Sequence, residues 1–86
     1  MRHISSFTLV RFTKSSRRHR IGHARAMHVM NSVDPVVGLA TRWADEKWHW
    51  FGADDRGLEL EITGVVISKE EILIIHVMPR MFRRNA

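Results

Sequence analysis

The chain has 86 residues, 44% hydrophobic and 27% charged; so short a chain holds one core, so residues 1–86 read as a single domain of globular composition. The absence of cysteine removes disulfide scaffolds, thiolate metal sites and thiol nucleophiles. The net charge of +5 is uneven: residues 1–25 carry seven basic and no acidic side chains, residues 34–71 hold all nine carboxylates against four basic groups, and Arg80, Arg83 and Arg84 close the chain.

Taken in order, Met1 to Ser5 is basic, and no apolar stretch of signal-peptide length follows it. The longest apolar runs, 62–67 and 72–78, fall well short of the roughly 18 residues a membrane span needs. A cytoplasmic protein without membrane contact is therefore expected. Residues 1–20 are expected to form a basic N-terminal strand or arm, with a first strand over Phe7 to Phe12. Lys14 to Arg20 is a basic connector of the length found in nucleic-acid patches, although a flexible solubilising arm has the same composition. If it meets the basic tail 80–86 in the fold, the two would make one positive surface able to attract a polyanion.

Residues 22–33 read as a helix, stopped by Asp34-Pro35 because the residue before proline is driven out of helical geometry. Steps of about 100° bring Val29, Val33, Ala26, Met30, His23 and Met27 into one apolar arc. Val36 to Ala40 suits a short strand and Thr41 to Lys47 a polar loop. Lys47 to Gly52 is a strand with Trp48 and Trp50 on one face and His49 and Phe51 on the other. After the turn at 53–57, Leu58 to Ile67 places Leu60, Ile62, Gly64 and Val66 opposite Glu59, Glu61, Thr63, Val65 and Ile67. Ile72 to Met78 is apolar on both faces, as befits a strand inside a sheet. The order predicts an α+β domain, one principal helix packed on a small, mostly antiparallel sheet of three to five strands.

Few chemical motifs are present. The six histidines lack HExxH spacing and neighbouring carboxylates, so no metal site and no cofactor is expected. There is no G-x-S-x-G, Walker lysine or G-x-G-x-x-G motif. The Glu59/Glu61 pair is explained equally well by alternation on an exposed sheet face. His76 stands out. Regular alternation would put it beside Ile72, Ile74 and Met78, just ahead of Pro79-Arg80. An imidazole near a guanidinium suits ribonuclease chemistry, in which a proton carrier and a fixed positive charge act on a phosphodiester whose own 2′-hydroxyl is the nucleophile. A core histidine with one satisfied hydrogen bond suits the same pattern.

The segments Gly22 to Met27, Trp50 to Glu61 and Leu73 to Pro79 resemble, in order and spacing, small bacterial proteins of the BrnT type within the RelE/ParE-like toxin superfamily. The resemblance covers roughly residues 20–84. It implies a RelE/BrnT-like fold and a metal-independent ribonuclease that arrests translation as the toxin of a type II toxin–antitoxin system, neutralised by a cognate antitoxin protein. Carried onto this chain, His23 matches the helix histidine of the family signature, and Arg80 falls near the arginine that follows the last strand. The departure is Ile75-His76-Val77-Met78-Pro79-Arg80, where many relatives carry arginine inside the strand-end motif. On this reading His76, His23 and Arg80 form the catalytic set, and Arg17, Arg18, Arg20, Arg25 and Arg83 hold RNA. The competing reading is a non-enzymatic module that docks a protein or nucleic acid through its basic surface.

Overall fold

Period-two alternation of apolar side chains builds five strands, and one 3.6-period segment builds the helix that covers them. The computed structural model describes residues 2–84, with side chains described as far as residue 82. The elements are β1 (Leu9–Phe12), α1 (His23–Ser32), β2 (Val36–Gly38), β3 (Lys47–Ala53), β4 (Glu59–Val66), β5 (Glu71–Pro79) and a terminal turn of helix, α2 (Arg80–Arg84). Single 3-10 turns occupy Ile4–Ser6 and Ser15–Arg17. The strands lie in the order β1-β5-β4-β3-β2, with β1 parallel to β5 and every other pair antiparallel. This is an α+β domain with one main helix on an open mixed sheet. No helix among the described residues is long and apolar enough to cross a membrane.

The first strand is shorter than its composition suggests. Phe7 N–H donates to the Ile4 carbonyl and closes a 3-10 turn, so extended pairing begins at Leu9, while Ile4 and Phe7 turn into the core. Phe7 meets Trp48 edge to face at 5.0 Å between ring centroids. Ile4 and Phe7, within the segment expected to form a strand or arm, consequently belong to the packed core. Ser16 is also buried, its hydroxyl donating to the Thr13 carbonyl at 2.6 Å.

Helix α1 starts after an extended Gly22 and ends where Val33 N–H donates to the Val29 carbonyl ahead of Asp34-Pro35. Ala26, Val29 and Met30 are fully buried, at about 1.5–3 kcal/mol for a large apolar side chain. They pack on one sheet face with Trp48, Trp50, Leu60, Ile62, Ile72, Ile74 and Val77. Gly52 permits the close approach of α1, and Gly64 makes room for the β5 side chains beside it. A Cβ on Gly52 would lie 3.0 Å from Val33 Cγ1, and one on Gly64 would lie 2.8 Å from Ile72 Cδ1.

The last strand departs from simple alternation. Gly64 pairs with Ile74, but Thr63 pairs with His76, so Ile75 is an extra residue bulged out of β5. One inserted residue reverses the in-and-out pattern beyond it. Regular spacing put His76 on the face of Ile72 and Ile74; the bulge instead sends Val77 into the core and His76, with Met78, to the opposite face.

Candidate functional site

Among the described residues that opposite face carries no covering helix, only α2 at one rim. Across its centre the register aligns His49 on β3, Thr63 on β4 and His76 on β5 in one row. His49 Nδ1 and Thr63 Oγ1 are 3.0 Å apart and hydrogen-bonded. One row along, Glu61 lies between Phe51 and Met78, diagonal to both imidazoles and therefore within reach of either side chain. Glu61 is only 5% exposed, an unusual position for a carboxylate. A shallow cavity of about 370 Å³ opens here, lined by Val36, His49, Phe51, Glu61 and Arg80. Arg80, the first residue of α2, sets its guanidinium 5.8 Å from the Phe51 ring centroid and its Nη1 3.7 Å from Glu59 Oε2. One imidazole, a shielded carboxylate and a guanidinium thus share one concave surface, with His76 in the adjoining cross-strand row and its Nε2 buried. Such a set can take a proton at one atom, deliver one at another and stabilise charge between them.

The basic connector reaches the same end of the sheet. Thr13 N–H donates to the Ile74 carbonyl at 2.9 Å, and the Ser15 hydroxyl donates to the carbonyl of Ile75, the bulged residue just before His76, at 3.3 Å. His19 meets Phe82 of α2 edge to face at 5.5 Å. Arg17, Arg18 and Arg20 are exposed, and Arg20 has a left-handed backbone (φ 59°). The basic connector and the start of the basic tail therefore adjoin, beside the His76 end of β5.

His76 and Arg80 fall on this face, but His23 does not. Its ring stacks on Phe12 at 4.0 Å and 11°, and Phe12 faces the α1 side of the sheet with Ile74. His23 is also exposed rather than set in the helix's buried arc, because it occupies the first turn, beyond the edge of the covered sheet. His23 and His76, each expected in the catalytic set, therefore stand on opposite sides of the sheet.

Arg25 is likewise committed elsewhere. Its Nε donates to Asp54 Oδ2 at 2.7 Å, with Nη2 2.6 Å from the same oxygen. Asp54 Oδ1 accepts from the backbone N–H groups of Arg56 at 2.8 Å and Leu58 at 3.0 Å. Burial works to raise the Asp54 pKa, but the bonds from Leu58, Arg25 and Arg56 and the Arg25 charge outweigh it and hold the group below its ordinary 3.8. Arg25, expected to hold RNA, thus ties α1 to the β3–β4 turn in which Gly57 takes a positive φ of 82°. The Arg83 side chain lies outside the described residues.

His49 and Thr63 were not singled out by sequence reasoning, and Glu61 was weighed only with Glu59 as a pair on an exposed sheet face, whereas it is buried. Alternation gave the face each occupies, yet only the cross-strand register shows that Glu61 is enclosed while Glu59, two residues away, has a side chain 61% exposed. Among the described residues no three His, Cys, Asp or Glu side chains are grouped to hold a metal ion.

No protein-family model matches the chain, and neither a curated protein nor a solved structure matches it.

Proposed function

We propose that the protein is a metal-independent RNA endonuclease acting as the toxin of a bacterial type II toxin–antitoxin system, as its resemblance to BrnT-type proteins implies. The observation that carries this reading is the row His49, Thr63 and His76 with Glu61 enclosed beside it and Arg80 at the rim. In this reading RNA lies across the open face. Glu61 accepts the proton of a 2′-hydroxyl, and the 2′-oxygen attacks the adjacent phosphorus. The bond from phosphorus to the 5′-oxygen breaks, leaving a 2′,3′-cyclic phosphate. His76 gives a proton to the departing 5′-oxygen, and Arg80 stabilises the charge on the non-bridging oxygens. Thr63 holds His49 in orientation next to the reacting centre. Arg17, Arg18 and Arg20 supply the sequence-independent attraction to phosphates. A free surface of this kind acts on any accessible transcript, so an antitoxin with an acidic segment covering it is the partner that fits, and the cytoplasm is where both would work.

Incubation of the purified protein with RNA in excess chelator tests the reading. Cleavage should persist in chelator, yield cyclic-phosphate ends and fall by at least about 100-fold in His76→Ala and in Glu61→Gln, the usual scale of a lost general acid or base. Expression should arrest growth, and co-expression of the neighbouring gene product should restore it. Intact RNA that is nevertheless bound, with no growth effect, would overturn the enzyme reading in favour of a binding module.

A further inference from the structure

We propose that Phe51 is a stacking platform for one unpaired nucleobase, which makes single-stranded RNA the substrate of the open face; this rests on the nuclease reading above. Strand β2 pairs with β3 only from Lys47 to His49. Beyond His49 the outer side of β3 has no neighbouring strand among the described residues, and Phe51 stands at that opening, 42% exposed. Beside it Val36, the first residue of β2, is 61% exposed. A large aromatic ring left in solvent forgoes about 1.5–3 kcal/mol of burial. Here the ring also lines the cavity shared with His49, Glu61 and Arg80.

The spacing suits a nucleotide. Phe51 follows His49 by two residues on the same face, a step of about 6.8 Å along a strand, which is close to the separation between a phosphate and the base of its own nucleotide. A phosphate at the His49–Thr63–His76 row therefore brings its base over Phe51. The Arg80 guanidinium lies over one face of the ring, 5.8 Å from its centroid, so a base stacks on the other face or displaces the guanidinium, which then holds the adjacent phosphate. Stacking on a phenyl ring uses the π-face that every base has, so it tolerates any sequence. A base already stacked and paired in a duplex cannot reach the ring.

The test uses the full chain and a 2′-O-methyl oligonucleotide, which lacks the nucleophilic hydroxyl and so reports binding alone. One position carries the fluorescent base 2-aminopurine. Wild type should bind the single strand well above the matching duplex and quench the fluorophore. Phe51→Leu keeps an apolar side chain and removes the π-face, so it should bind roughly 5- to 150-fold more weakly, the range of one lost base–aromatic stack, and lose the quenching. Phe51→Trp should restore both, and an unchanged melting curve for each variant excludes unfolding as the cause. If Phe51→Leu binds and quenches like wild type while wild type still cleaves RNA, the platform is wrong and the nuclease reading stands. Wild type that neither binds nor cleaves RNA overturns both.

Discussion

Asp54→Asn is the substitution whose cost follows most directly from the structure. The carboxylate has no exposed side-chain surface and receives bonds from two backbone N–H groups and the Arg25 guanidinium. An asparagine oxygen still serves Arg56 and Leu58, but its NH₂ then faces Arg25, donor against donor. The variant loses the charge-assisted bonds to Oδ2, at about 1.5–3 kcal/mol each, and leaves the guanidinium without its counter-ion. Because the Arg25 side chain is 20% exposed, water recovers part of this, and the net loss should be about 2–4 kcal/mol. For a domain of this size that lowers Tm by roughly 10–25 °C, readable by circular dichroism at neutral pH. The pH dependence has a definite sign. With the folded pKa held below the ordinary 3.8, the unfolded chain binds the proton first as pH falls. The stabilisation is complete above the ordinary value and is lost as pH drops through the lowered one. Wild type and variant should converge in acid. A variant that melts within two or so degrees of wild type at neutral pH, or a gap that widens as pH falls, would refute the reasoning.

Three further outcomes are expected. Replacing Arg17, Arg18 and Arg20 together by Ala should flatten the dependence of log K on log salt for single-stranded RNA by about 2 with Tm nearly unchanged, whereas Arg25→Ala should lower Tm and leave that slope alone. Gly64→Ala should cost about 1–3 kcal/mol in urea unfolding, because its Cβ would lie 2.8 Å from Ile72 Cδ1 and 3.0 Å from Ile74 Cδ1. His23→Ala should cost less than about 1.5 kcal/mol, the value of one exposed ring stack, and leave RNA cleavage at the wild-type rate; a large loss of cleavage would return His23 to the site.

What was legible in the sequence was local. The apolar arc of Ala26, Val29 and Met30 and the alternation of Trp48 and Trp50, then Leu60 and Ile62, need only neighbours in the chain, and the helix and meander follow from them. The parallel pairing of Leu9–Phe12 with Glu71–Ile74 joins segments some sixty residues apart, and no periodicity announces it. Ile75 reads as one more apolar residue in a run, so the bulge and the face of His76 were invisible until Thr63 and Gly64 supplied the register. The site shares this property. His49, Thr63 and His76 come from three strands, and their row exists only once those strands are paired. Asp54 looked like a turn residue, which it is, but a buried carboxylate needs a cation from elsewhere, and Arg25 on α1 lies 29 positions away.

The position of β5 decides how the molecule opens. His76 sits on a strand held on one side by β4 and, up to Ile74, on the other by β1, with the Ser15 hydroxyl taking over at Ile75. Local openings that loosen the short edge pairing of Val36 to Gly38 leave the contact between Thr63 and His76 intact. Amide protons of Ile62 and Val77 should accordingly exchange with solvent only when the whole sheet comes apart, while those of β2 exchange through small, frequent openings. The side of the cavity that carries Phe51 and Val36 is thus the yielding one and the side that carries Glu61, on β4 against β5, the firm one, so an incoming strand of RNA would meet a wall that adjusts and a wall that does not.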